Sequence, residues 1–291
     1  MPTAVAGKVI NNFVLGANSY IGQHLAMSLV HFNTVLHTRN APNHLIKQLQ
    51  RPVIQEDLQL GFSECAKYVP ETVYIVARPQ SDEEKAFSDF NQNVMTLLRR
   101  WQEIGSIQRI VFLSTQLVYS TPQTPEPILP SAMLGPETAY DRTRLHMESF
   151  LASLAITGKL RSVEVYRLPL VSGGILLAHQ RAAQYMSFWQ DAYRLGWRWP
   201  VTKQTPDWGT SWVHVAHLAA HLAAVPKTGY GVYHPVSGNF TYRRLHEFLL
   251  IKNPAKQVRD KPLHLNKTYF FLKDTVGMPP LSIEDAYKSV V

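Results

Sequence analysis

Acidic residues are missing from the start of this chain: no Asp or Glu precedes Glu56. From Val9 to Thr38 there is no Lys, Arg, Asp or Glu at all. That run is broken by Asn, Gln, Ser, His and glycine, so it reads as a buried strand–helix–strand and not as a membrane span. Cysteine is nearly absent. The single Cys65 excludes a disulfide framework and a cysteine-based zinc site. The first residues, Met-Pro-Thr-Ala-Val-Ala-Gly-Lys, lack a basic segment followed by an apolar core, so no export signal is read and a cytoplasmic protein is expected.

What is present bounds the rest. The 291 residues suffice for one large α/β domain, or a domain with an appendage, around a full core. Twenty-nine basic residues against 21 acidic give a net charge of +8. The cations are dispersed and not gathered with aromatics in one arm, which argues against a nucleic-acid partner. Two local excesses stand out. Lys159, Arg161, Arg167, Arg181, Arg194, Arg198 and Lys203 face only Glu164 and Asp191 between 159 and 203. An anionic small-molecule substrate explains that cluster, whereas the second, Arg243 to Lys273, reads as a solvated surface.

The chain is organised around the run from Ile10 to Leu25. A short apolar strand breaks at Gly16, and apolar residues resume at Ile21, Leu25 and Leu29 with the period of a helix packed on a sheet. A strand, a tight glycine turn and a helix N-terminus together form an anion site, because unpaired N–H groups and the positive end of the helix dipole converge there. Asn18, Ser19, Tyr20 and Ile21 line that turn. Gly22 lets the helix lie close to the strand.

The spacing Gly16, Ser19, Gly22 resembles the Gly-x-x-Gly-x-x-Gly run of the short-chain dehydrogenase/reductase superfamily, with Ser19 in place of the middle glycine. The resemblance implies a dinucleotide at this turn, with Ser19 either turning its hydroxyl away or donating it to a phosphate. A second strand, Asn33–Thr38, then ends at Arg39. An acid at this strand end holds the free 2′-hydroxyl of NAD, and a basic residue suits the 2′-phosphate of NADP. No carboxylate is available and Arg39 is. A charge-assisted bond of roughly 1.5–3 kcal/mol corresponds to about a ten- to hundredfold preference, so NADPH is expected over NADH. Asp57 and Leu58, after a third strand Pro52–Gln55, resemble the pair that brackets the adenine. Ala77 and Arg78, after a fourth strand Val73–Ala77, resemble the segment beneath the phosphates. A helix is expected from about Ser81, its cap, to Glu103.

A second resemblance carries the chemistry. Val111 to Tyr119, followed by Tyr140-Asp141-Arg142-Thr143-Arg144, is similar to the extended branch of the superfamily, with its strand-end Ser/Thr and a Tyr-x-x-x-Lys helix. Thr115 falls on the Ser/Thr, Tyr140 on the tyrosine, and Arg144 where the lysine stands. These imply a carbonyl reduced with a proton from Tyr140 and a hydrogen bond from Thr115. Tyr140 and Arg144, four apart, share a helix face. Arg144 preserves the positive charge, but its planar five-donor fork differs from a slim ammonium that also binds ribose hydroxyls. Gln116 adjoins the candidate substrate.

Arg167-Leu168-Pro169-Leu170-Val171-Ser172-Gly173 resembles the family's Arg-x-Pro-x-x-x-Gly, with Pro169 and Val171 beside the nicotinamide. Helix-like sequence from Leu176 to Leu195 leads to Gly196-Trp197-Arg198-Trp199-Pro200, where Arg194 and Arg198 are candidates for a diphosphate. His217 and His221 lack a third ligand in register, so no metal is expected. The resemblance implies a Rossmann-type doubly wound parallel sheet, dinucleotide-binding over 1–170, and mainly a substrate lobe over 171–291. It also implies an NADPH-dependent ketoreductase on a nucleotide-activated sugar, with NAD the alternative cofactor. An epimerase/dehydratase or a non-catalytic NADP sensor are the alternatives, and a homodimer through the Ser81–Glu103 and Tyr140–Ala155 helices follows by analogy.

Overall fold

A computed structural model describes residues 7–79, 83–122, 124, 126–173, 197–198, 209–224, 227–241, 244, 259–260 and 271–284. The chain divides into two compact units. The first takes residues 1–118, 136–166 and 219–232; the second takes 119–135, 167–218 and 233–291.

The first unit is built on a seven-stranded sheet. In chain order its strands are β1 (Lys8–Leu15), β2 (Thr34–Thr38), β3 (Val53–Gln55), β4 (Tyr68–Ile75), β5 (Arg109–Thr115), β6 (Ser162–Leu168) and β10 (Gly229–Tyr233). Their spatial order is β10-β6-β5-β4-β1-β2-β3. β1 pairs in parallel with β2 and β4, β2 with β3, and β4 with β5. The order runs outward from β1 on one side and returns to its other side at β4, so the crevice of a doubly wound fold lies at the carboxyl ends of β1 and β4. Among the described residues the helices α1 (Tyr20–Ser28), α2 (His44–Gln48), α3 (Glu84–Glu103) and α4 (Ala139–Ile156) accompany the sheet.

Residues of β2, β5 and β6 are all buried, as strands covered on both faces require. β4 starts five residues earlier than its apolar run. Its first half is polar and contains Pro70, but it pairs with β1 from Lys8↔Tyr68 onward. Trp101 of α3 holds that half down, its indole N–H donating to the Tyr68 carbonyl at 2.7 Å and its ring packing 5.2 Å from Phe13. The N-cap of α3 is Glu83, without a side-chain cap bond; the sequence-based cap at Ser81 lies outside the described residues. α4 opens on a capping box, with Thr138 and Asp141 each bonding the other's backbone. Among the described residues no helix is long and apolar enough to cross a membrane.

In the second unit, a three-stranded sheet has the order β11 (Gly238–Thr241), β9 (Gly209–His214), β7 (Leu170–Ser172). β8 (Trp197–Arg198) pairs with β12 (Arg259–Asp260), and the helix after β9, α5 (Val215–Ala223), begins in this unit and ends in the first. The proline-rich segment is tied by bridges Tyr119↔Leu134 and Ile128↔Leu272. Inside, Arg167 donates to the Tyr119 hydroxyl at 2.7 Å, and that hydroxyl lies 2.6 Å from His234 Nε2. Burial first, then the charge of Arg167, pushes His234 down to about 4, so the imidazole is neutral at pH 7.

A buried ion pair locks the amino ends of β5 and β6. Arg109 grips Glu164 in two bonds of 2.7 and 3.0 Å, and Ser162, Tyr166 and the Lys227 N–H also donate to that carboxylate. Burial alone would raise the Glu164 pKa, but these bonds and the Arg109 charge hold it below the ordinary carboxylate range. A depressed pKa contributes stability that is present above the unfolded value and lost as pH falls through the folded one. Glu164→Ala, which strands the guanidinium, is expected to lower unfolding free energy by about 3–5 kcal/mol. In urea denaturation the gap between wild type and variant should hold at neutral pH and narrow on acidification; a pH-independent gap would refute the assignment.

Candidate active site

Gly16 has φ +96°, a conformation L side chains avoid. A Cβ there would stand 2.7 Å from the backbone N and Cα of Ala77, so the turn after β1 and the segment after β4 touch with nothing between them. Gly22 is the second close approach: its Cβ would lie 2.3 Å from the Gly16 carbonyl oxygen. Ser19 caps α1, its Oγ accepting from the Gly22 N–H at 3.1 Å. The hydroxyl is thus turned into the helix while its own proton stays available. The remaining first-turn N–H groups have no intrahelical partner, which leaves them for an anion. Such a cradle fits the diphosphate of a dinucleotide.

The other cofactor-side residues fall in different settings. Arg39 follows β2, half-buried; its Nε is buried without a partner, and no acid pairs with it among the described residues. Glu56, the first acid, is turned elsewhere, its oxygens taking Ser63 Oγ and the N–H groups of Glu64 and Cys65. Asp57 accepts from the Gln59 N–H, closing a tight turn. Leu58 is only 2 % exposed and belongs to the core, which leaves its side chain little surface for an adenine. Asn93 holds this loop by donating to the Leu58 carbonyl at 2.8 Å. Asn18 bonds the loop after Arg39. The Tyr20 hydroxyl is buried and unpartnered, Ile21 is half-buried, and Arg78 is exposed.

The candidate catalytic residues lie on β5 and α4. Thr115, last in β5, accepts at Oγ1 from the Leu117 N–H at 3.2 Å, so its hydroxyl proton is free to donate. Tyr140 sits in the first turn of α4, half-buried, its ring 5.7 Å from Phe87. The Arg144 guanidinium lies over that ring at 5.2 Å and over Phe112 at 5.4 Å, and donates from Nη2 to the Ala77 carbonyl at 3.3 Å. Arg144 is 7 % exposed, and its Nε has no partner. Gln116 is buried in the short 3-10 turn after β5, with an unpartnered Oε1.

Pro169 and Val171 belong to the second unit, Pro169 buried and Val171 half-buried on β7. Arg194 lies outside the described residues; Arg198 is placed by its backbone on β8, opposite Asp260. Among the described residues no three His, Cys, Asp or Glu side chains converge. Two supports escaped the sequence reading. Glu148, 2 % exposed, takes a hydrogen bond from Ser114, and Asn91 donates to the Thr143 carbonyl at 3.0 Å. The spacing Tyr140, Arg144, Glu148 was the available signal for the first, since it repeats one helical face.

A comparison with curated proteins gives no match in sequence. Solved structures do match in fold. UDP-glucose 4-epimerase of Thermotoga maritima, with UDP-glucose, aligns with a TM-score of 0.75 at 16 % identity over 97 % of both chains. UDP-glucose 4-epimerase of Bifidobacterium longum, with NAD+ and UDP, gives 0.76 at 16 % over 96 % of both. A double mutant of the dTDP-glucose 4,6-dehydratase DesIV of Streptomyces venezuelae, with NAD, gives 0.71 at 17 % over 97 % of this chain and 96 % of that one. The model of the NAD dependent epimerase/dehydratase family matches residues 12–181, more than half of the sequence. With the glycine turn, the strand-end threonine and the Tyr-x-x-x-Arg helix in place, the chain belongs to the NAD dependent epimerase/dehydratase family, within the extended short-chain dehydrogenase/reductase enzymes.

Proposed function

We propose that this protein is an NADPH-dependent reductase of a carbonyl on a nucleotide-activated sugar. The observation that carries the reading is Arg39: a cation at the end of β2, its Nε buried and unpaired, in an ion pair with no carboxylate among the described residues, and with no Asp or Glu before Glu56 in the sequence. Epimerases keep NAD as a tightly held catalyst, whereas a net reductase consumes NADPH, so cofactor choice bears on reaction type. The basic excess between 159 and 203 and the nucleotide-sugar ligands of the structural relatives support the substrate class.

The turn 16–22 would hold the diphosphate and Arg39 the 2′-phosphate. Bound NADPH supplies a hydride for the carbonyl carbon. Tyr140 gives its phenolic proton to the carbonyl oxygen, and Thr115 donates a hydrogen bond to the same oxygen. The Arg144 charge over the Tyr140 ring offsets the phenolate left behind, which solvent then reprotonates. The product is the alcohol, with NADP+ as the oxidised partner.

A second reading, a sugar-nucleotide epimerase or dehydratase, is favoured by the NAD found in the relatives. It is recognised by activity without added cofactor and by NAD(H) released on denaturation. Thermal shift separates these readings: NADPH should stabilise the protein more than NADH, and a UDP- or dTDP-sugar should add to it. NADPH binding with no added effect of any nucleotide sugar would favour a sensor without catalysis. Tyr140→Phe should abolish turnover while NADPH affinity is retained; full activity in that variant would sink the mechanism. Arg39→Ala should erase about a ten- to hundredfold preference for NADP+ over NAD+, read from dissociation constants of the two cofactors.

A further inference from the structure

Arg39 opens a segment that the backbone does not hold. Among the described residues, Arg39–Pro42 makes no backbone–backbone hydrogen bond. Its ties come from one side chain in the glycine turn. Asn18 Nδ2 donates to the carbonyl oxygens of Asn40 at 3.4 Å and Ala41 at 3.0 Å, and Asn18 Oδ1 accepts from the Asn43 N–H at 3.2 Å. Asn43 then caps α2, its own Oδ1 accepting from the Ile46 N–H at 3.0 Å. One amide therefore joins the turn after β1 to the start of α2, with both its Nδ2 and its Oδ1 engaged in doing so. The Asn18 side chain is thereby committed to the loop, and its backbone N–H is the donor it keeps for a phosphate.

We infer that Asn18 is a positioning residue for recognition of the cofactor's 2′-phosphate, acting through Arg39. The inference rests on the NADP reading of Arg39 given above. A guanidinium discriminates only if it is already held near the phosphate, because ordering a loose loop on binding consumes the interaction it makes. NAD carries no 2′-phosphate and gains nothing from that order. Loosening 39–42 must therefore weaken NADP binding selectively, whereas a general defect in the turn would weaken both cofactors alike. The neighbouring atoms agree with a ligand at this point: Arg39 Nε and Thr38 Oγ1 are both buried without partners.

The test is a double-mutant cycle on dissociation constants for NADP+ and NAD+, measured by calorimetry with wild type, Asn18→Ala, Arg39→Ala and the double variant. Asn18→Ala is expected to weaken NADP+ about three- to tenfold more than NAD+, as loss of neutral hydrogen bonds would give. That extra loss should vanish when Arg39 is already alanine. Equal weakening of both cofactors, or the same selective loss without Arg39, overturns the inference. If Arg39→Ala changes the ratio and Asn18→Ala does not, this inference alone falls. If Arg39→Ala leaves the ratio unchanged, the NADP reading falls and takes this inference with it. Thermal melts monitor folding, and Asn18→Ser, which keeps a hydroxyl able to make one tie, reads the same ratio should the alanine variant be unstable.

Discussion

The carboxyl edge of the sheet depends on a bare contact between two backbones. Where β1 ends at Gly16 and β4 gives way to Ala77, no side chain intervenes, and any Cβ on Gly16 would overlap Ala77. The Val76 N–H bonds the Leu15 carbonyl at 3.0 Å just before that contact, so the two strands are still registered when they part. The Ala77 carbonyl, on the same residue, accepts from Arg144. One small residue thus seats the glycine turn and accepts from the guanidinium that lies over Tyr140. The glycine turn and the first turns of α4 are mechanically one construction.

The arginine marks this chain's clearest departure from the family pattern. A lysine would bring a compact ammonium free to reach ribose hydroxyls; the guanidinium here is broad, flat and already bonded to a main-chain oxygen. It lies over the faces of two aromatic rings, which suits a delocalised cation. The guanidinium stays 5.2 Å from the centre of the Tyr140 ring, and its Nε keeps a donor that no other group takes.

Sequence legibility followed the physics of each element. Strands covered on both faces were readable where an apolar run marks them, as Ile110–Leu113 does in β5, although β2 buries Thr34, His37 and Thr38 as well; the first half of β4 was not, because Pro70 and Glu71 owe their strand conformation to pairing with β1. The glycine turn was legible since its geometry admits so few residues. That a cation and no acid follows β2 was legible, since no Asp or Glu precedes Glu56. The burial of Leu58 was not: a leucine that faces a ligand and one that fills the core look alike in a sequence. The side-chain ties of Asn18 were not legible either, as they reach carbonyl oxygens more than 20 positions away, and no local pattern encodes a backbone acceptor.

Arg109 and Thr115 are the first and last residues of one strand, about 20 Å apart at the usual rise. The buried ion pair that clamps β5 to β6 therefore lies at the opposite pole from Thr115. Substitution at one pole leaves the clamp at the other untouched, so side chains such as Ser19 and Arg144 can change while β5 and β6 stay joined.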